Sequence, residues 1–286
     1  MNNISCDLCK DDNIQILYKS QDYRLNVDDK IYFLVYCNNC NILFINPKPK
    51  PEEISTHYPE KFFQANFNIS NLYIRLLNKI KIRIITRYKK SGRILDIGCG
   101  DGEFLLNFKK KGWNTYGIDT SPLAYSLSKN KIIKNIFNTT LTECRFGDNF
   151  FDVITLNNVI EHVDDPEHLI KEIFRILKKE GILFILTPNI ESYQCKITKQ
   201  YWIHLDIPRH LYLYSPKSLA TLLEKHFFTV IGVSFPVFEN PLDIYHSLKR
   251  QHNLKFFSGI FLLFILLKIF PKYRSLFQIV CSKHIT

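Results

Sequence analysis

Two groups of residues in this chain have types and spacings suited to chemistry. The first is sulfur: Cys6-x-x-Cys9 is followed, after 27 intervening residues, by Cys37-x-x-Cys40. Each C-x-x-C turn presents two thiolates to one point, so two such turns can close a tetrahedral zinc site. Four cysteine ligands leave no open coordination position, and the ion expected is structural. The intervening stretch is longer than the usual ribbon spacing. Its alternating Ile31, Phe33 and Val35 read as a strand leading into the second turn. The second group is the run ILDIGCGDGEF at 94–104, an apolar strand that meets Asp96 and then Gly98, Cys99, Gly100 and Gly102. A chain turns this sharply beneath a ligand.

What the turn lacks narrows that ligand. A dinucleotide fingerprint needs a third glycine where this chain has Glu103, and an acid in the first turn of the following helix repels a pyrophosphate. A P-loop is excluded because no Gly-Lys-Ser/Thr follows. Asp96 suits an ammonium group. Asp119 ends the next strand, 21 positions after Gly98, where a carboxylate can accept hydrogen bonds from both hydroxyls of a ribose. A nucleoside with an amino-acid tail and no phosphate meets these demands, and S-adenosylmethionine is such a ligand.

The elements that must position these residues alternate along the chain. RILDIG, NTYGID, FDVITLNN and GILFILTP read as buried strands, with FTVIGVSF and SLFQIVCSKH as the last two. Helices fall between them: FLLNFKKK up to Gly112, SPLAYSLSKNK opened by Ser121-Pro122, and PKSLATLLEKHF after Ser215. Another starts at Asp165-Pro166-Glu167, repeats Ile170, Ile173, Phe174 and Leu177 on one face, and stops at Gly181. This alternation predicts an α/β, doubly wound sheet with helices on both faces and its ligand at the carboxyl ends of the strands. Upstream, Pro47, Pro49 and Pro51 mark an extended arm. Residues 72–90 predict an amphipathic helix with Leu72, Leu76, Leu77, Ile80, Ile84 and Tyr88 on the packed face and solvated Lys and Arg outside.

Composition agrees with this plan. The 286 residues give room for one sizeable domain plus a small module, and the apolar fraction of 46% supplies an ample core. A net charge of +11 favours an anionic partner without choosing among nucleic acid, a phosphorylated substrate or an acidic membrane. The N-terminal MNNISCDLCK carries no apolar run, so a cytoplasmic location is expected, where the eight cysteines are thiols or metal ligands rather than disulfides.

The segments LDIGCGDGEF, YGIDTSP, FDVITLNNVIEHVDDP, LKKEGILFILTPN and WIHLDIPRHLYLYS resemble class I S-adenosylmethionine-dependent methyltransferases, in particular those with an N-terminal four-cysteine zinc module. The double C-x-x-C followed by LFINPKP looks like the start of such proteins. The resemblance implies a seven-stranded Rossmann-like sheet with an antiparallel last strand, plus a small N-terminal zinc ribbon. The expected division is a zinc module over 1–50, an arm over 51–70 and a methyltransferase domain over 71–286, with insertions at 189–215 and 236–274. It also implies cofactor contacts from Asp96, Gly98, Cys99, Gly100 and Gly102 at the methionine end, Asp119 at the ribose, Asn157 at the fourth strand and Leu141 beside the adenine.

A sulfonium is already an activated methyl donor, so the chain must mainly hold an acceptor in line and exclude water. Glu161-His162 follows the fourth strand, making His162 a candidate base and Glu161 its orienter. The same segment resembles ubiquinone-pathway O-methyltransferases, in which an acid three places before a Glu-His pair completes a metal site; here that place is Asn158. YWIHLDIPRH supplies Tyr201, Trp202, His204, Arg209 and His210, a set suited to an anionic or sugar-bearing acceptor, unless Arg209 and His210 only brace the loop against Asp206 or the sheet. FFSGIFLLFILL, residues 256–267, is too short to span a bilayer and reads as a buried helix or an interfacial one giving peripheral membrane contact. The acceptor expected is a small molecule, a sugar or a lipid-linked sugar. Nucleic acid is disfavoured, because LNNVIEH stands where an Asp/Asn-Pro-Pro-Tyr/Phe motif would read a base. A quinone precursor and a non-catalytic scaffold binding S-adenosylmethionine are the alternatives.

Overall fold

The computed structural model describes residues 4–59, 71–128, 135–236, 241–251 and 268–283. It divides into two compact units, one formed by Met1–Ile74, Pro188–Leu219 and Ser234–Phe277, the other by Arg75–Thr187, Ala220–Val233 and Gln278–Thr286.

The first unit is built on an antiparallel sheet. Strands β1 (Ile14–Ser20), β2 (Tyr32–Cys37) and β3 (Leu43–Asn46) form a meander, and a short β9 (Tyr212–Leu213) pairs with β3. The strand expected ahead of the second cysteine pair is present as β2. Tyr32, Leu34 and Val35 are buried, while Ile31 is 56% exposed and lies outside β2.

Arg209 ties this unit together. Its side chain is fully buried and takes Asp22 in a two-pronged grip, at 2.6 and 3.0 Å. Its Nε donates to Asp206 at 3.0 Å, and the remaining N–H groups reach the carbonyls of His57 and Ile207. Arg24 pairs with the other oxygen of Asp206 at 2.7 Å. Burial alone would raise Asp206, but Arg24 and Arg209 overcome it and hold the carboxyl well below its usual range. Arg209 therefore braces the loop, one of the two roles its place in YWIHLDIPRH suggests. Arg209→Ala would leave two buried carboxylates without their main counter-charge, and a loss of about 3–5 kcal/mol is expected in urea unfolding. An unchanged midpoint would remove this network from the account.

The seven-stranded sheet has the order β10-β11-β8-β7-β4-β5-β6. β4 (Arg93–Ile97), β5 (Asn114–Ile118), β6 (Ile136–Phe137), β7 (Phe151–Asn157) and β8 (Leu177–Pro188) run parallel, and β10 (Phe228–Ser234) and β11 (Leu276–Lys283) complete one side. Numbered in chain order, the eight helices among the described residues are α1 (Pro51–Ile54), α2 (Asn71–Tyr88), α3 (Glu103–Lys109), α4 (Pro122–Ser128), α5 (Pro166–Ile176), α6 (Tyr193–Thr198), α7 (Pro216–Lys225) and α8 (Pro241–Arg250). The central strands read as continuous apolar runs because they are covered on both faces, with Ile94, Leu95, Val153, Ile154, Leu183 and Phe184 fully buried.

Two expectations are corrected here. α5 begins as expected, with Asp165 accepting from the His168 N–H, but it ends at Ile176 rather than near Gly181. Leu177 is extended because it pairs with Phe151 and its carbonyl accepts from Lys283 at 2.7 Å. In α2 the buried positions are Asn78, Lys81, Ile82 and Ile85, whereas Leu76 and Tyr88 are exposed. The packed stripe of the helix carries a lysine, for a reason found at the end of β4.

Candidate functional site

The turn after β4 is made by backbone conformations that side chains resist. Gly98, Gly100 and Gly102 all have positive φ, at 70°, 54° and 76°. A Cβ on Gly98 would lie 2.4 Å from Val159, whereas one on Gly100 would project into open space. Gly100 is thus bare backbone facing room for a ligand. The turn is fastened to β5 by the Gly98 and Cys99 N–H groups, both donating to the Ile118 carbonyl, and Cys99 is buried beneath it.

Asp96 is buried to 2% exposure and accepts from Thr155 Oγ1 at 2.5 Å and Asn157 Nδ2 at 3.0 Å. Burial pushes its carboxyl up to about 6, against the pull of Thr155, Lys81 and Asn157. Asn157 Oδ1 is buried with no hydrogen-bond partner among the described residues. A buried amide oxygen left this way costs free energy and calls for a donor. An ammonium group would supply one to Asn157 and a charge to Asp96. Asp119 closes the other side: its two oxygens accept from the Gly100 and Ser121 N–H groups, both at 2.8 Å, and burial raises its carboxyl. Lone pairs remain on both oxygens for hydroxyl donors. Leu141 is buried in the turn between β6 and β7. These residues fit a nucleoside with an aminoacyl tail.

Sequence reasoning missed Lys81. It is 9% exposed, lies over the Phe104 ring at 4.7 Å, and is lowered to about 8 by burial against the pull of Asp96. It was assigned to a solvated face because its neighbours in sequence are basic. Its polar end can hold an anion beside Asp96.

The raised value of Asp96 fixes a pH dependence. The neutral acid below about pH 6 cannot attract an ammonium group, while the carboxylate above it can. Affinity for S-adenosylmethionine should weaken by about tenfold per pH unit below about pH 6 and level off above it. Calorimetry that finds a flat profile across this range would take Asp96 out of the site.

The remaining candidates divide between the units. In the second, Ile160–His162 form one helical turn after β7; Glu161 is fully buried and accepts from Thr187 Oγ1 at 2.9 Å, while His162 is half-buried. Asn158 is exposed with φ 53°, a backbone state asparagine tolerates. In the first unit, the Tyr201 ring packs on Tyr23 at 5.2 Å, and His210 Nδ1 meets the His204 carbonyl at 2.7 Å. A carbonyl only accepts, so Nδ1 carries the proton.

The four cysteines also belong to the first unit, and their sulfurs lie within 4.8 Å of one another. The two turns are built alike. Lys10 and Asn41 each adopt positive φ just after their pair and return an N–H to the carbonyl of Cys6 or Cys37, at 2.8 and 2.9 Å. The hydrogen bond from Cys40 lowers Cys6 to about 5, and the same bond raises Cys40. Sulfurs that share protons this way form a donor set for a soft tetrahedral cation. The apolar run 256–267 lies outside the described residues. No helix among the described residues is long and apolar enough to cross a membrane.

A glycine turn at the end of β4, an acid ending β5 and this strand order define the S-adenosylmethionine-dependent methyltransferase class. Residues 70–233 match the family model described as "Methyltransferase domain", and the chain belongs to that family. It is 30% identical over 211 residues to a ubiquinone biosynthesis O-methyltransferase of Pelagibacter ubique, covering 68% of this chain and 88% of the relative. A Coxiella burnetii protein of the same name is 24% identical over 188 residues, covering 60% and 80%. Among solved structures, a methyltransferase from Archaeoglobus fulgidus superposes with TM-score 0.53 at 21% identity, covering 73% of this chain and 94% of that one. A [4+2]-cyclase superposes almost as well, at 0.52 and 16% identity over 73% of this chain and 81% of its own. The fold by itself therefore does not fix the reaction.

Proposed function

We propose that this methyltransferase transfers a methyl group to a phenolic hydroxyl of an aromatic acceptor, of the kind met in quinone precursors. The observation that carries the reading is the 30% identity to a ubiquinone biosynthesis O-methyltransferase over 88% of that protein's length. It displaces the sugar acceptor expected from sequence. The chemistry of His162 supports it. An imidazole base faces a smaller free-energy gap in deprotonating a phenol than an aliphatic alcohol.

S-adenosylmethionine, when bound, supplies the activated methyl. Asp96 and Asn157 would hold its ammonium end, Lys81 its carboxylate, and Asp119 its ribose hydroxyls. His162 would take the proton of the acceptor hydroxyl. The four cysteines hold a zinc ion that shapes the first unit and takes no part in transfer.

Methyl-labelled S-adenosylmethionine offered with a dihydroxybenzene pool, a sugar-nucleotide pool and RNA tests the acceptor. Label is expected in the arene. Label confined to the sugar nucleotides would restore the earlier expectation.

A further inference from the structure

Packing does not explain the hydroxyl of Thr155. The residue lies in β7 at 0% exposure, beside Val153, Ile154 and Leu156, which are also fully buried. A valine there would fill the same space with no hydroxyl to satisfy. Thr155 is the register partner of Asp96 across the parallel pair of β4 and β7, and the partner of Asp96 on β5 is Gly117, which has no side chain. The Thr155 hydroxyl donates to Asp96 Oδ1 at 2.5 Å. The Leu95 carbonyl is a second acceptor at 3.4 Å, but a hydroxyl has one proton, and the shorter contact to a charged group takes it.

Asn157 Nδ2 also donates to Oδ1, at 3.0 Å, so neither bond occupies Oδ2. The titratable groups facing Asp96 come from three further places. Lys81 of α2 favours its charge, Asp119 after β5 opposes it, and the Cys99 thiol of the glycine turn is held neutral by burial and by Asp96 itself. Burial pushes the Asp96 carboxyl up to about 6, and Thr155 opposes this more strongly than Lys81 or Asn157.

We infer that Thr155 is a positioning residue for cofactor binding: its hydroxyl occupies Oδ1 of Asp96 and keeps Oδ2, as part of a carboxylate, for the ammonium group of S-adenosylmethionine. Fully buried, the hydroxyl acts through Asp96 and touches no ligand. This role rests on the assignment of Asp96 to that ammonium group.

The test compares wild type, Thr155→Val and Thr155→Ser by calorimetric titration with S-adenosylmethionine from pH 5.5 to 9. The ratio of affinities at each pH cancels the titration of the ligand's own amino group and of Lys81. Removing the donor should raise the Asp96 midpoint by about one to two pH units. Thr155→Val should therefore bind roughly 3- to 30-fold more weakly than wild type at about pH 6.5 and within about twofold at about pH 9, where Asp96 is ionised in both. Thr155→Ser, which keeps the donor, should follow wild type. In ligand-free protein labelled with ¹³C-aspartate, the Asp96 carboxyl resonance, assigned with Asp96→Asn, should titrate higher in Thr155→Val by the same interval. Melting verifies that each variant is folded. A folded Thr155→Val protein that binds as wild type at every pH, or that loses the same factor at every pH, overturns the inference and leaves the proposed function standing. Wild type that binds no S-adenosylmethionine at any pH defeats both.

Discussion

Cys37→Ser will release the metal and melt the cysteine-bearing sheet. Cys37 ends β2 and is buried, and its carbonyl receives the Asn41 N–H that shapes the second cysteine turn. Removing one thiolate leaves three sulfurs for a tetrahedral ion. Structural zinc sites contribute about 10–16 kcal/mol of binding, comparable with the whole stability of a domain. The loss should spread along β2 and β3 to β9, since Phe44 pairs with Tyr212 and Leu43 with Leu213. Elemental analysis should find one zinc per chain in the wild type and less in the variant, and the variant should lose a cooperative thermal transition. Wild-type protein that carries no zinc, with the melting profile unaffected by chelator, would contradict the assignment.

His162→Ala should lower kcat by about 10²–10⁴ while leaving the affinity for S-adenosylmethionine nearly intact. His162 follows β7 on a single helical turn, and the neighbouring Glu161 is pinned to Thr187. A small pendant base such as imidazole in the buffer should return part of the lost rate if proton removal is the defect. The pH profile of kcat should also lose its rising limb. A variant that turns over at the wild-type rate would leave catalysis to positioning alone.

Much of this account was legible in residue order. The glycine turn, the acid 21 positions later and the paired cysteines are local patterns, and local patterns survive in a string of letters. The faces of elements did not. Lys81 falls among lysines and arginines expected on a solvated face, because periodicity gives the repeat of an element but not which side the rest of the chain covers. Lys81 is instructive: its burial makes sense only beside Asp96, fifteen positions away in sequence and on another element. The end of α5 was missed for a similar reason, since Leu177 is drawn out of the helix by pairing with Phe151. The bracing of Arg209 against Asp206, three positions away, is one of the two roles the sequence offers, but its partners Asp22 and His57 lie more than 150 positions away. No spacing rule connects them. The addition of Tyr212–Leu213 to the cysteine-bearing sheet was hidden in the same way.

The central claim is that the turn after β4 and Asp119 hold S-adenosylmethionine. Calorimetric titration of wild type and Asp119→Ala tests it most directly. The wild type should bind one equivalent. The variant loses two charge-assisted contacts to the ribose and the anchors of the Gly100 and Ser121 N–H groups. Its binding should weaken by about 2–4 kcal/mol, roughly 30- to 1,000-fold. Asp119→Asn, which keeps one acceptor oxygen, should fall between the two. Wild-type affinity in a folded Asp119→Ala protein would contradict the account at its base.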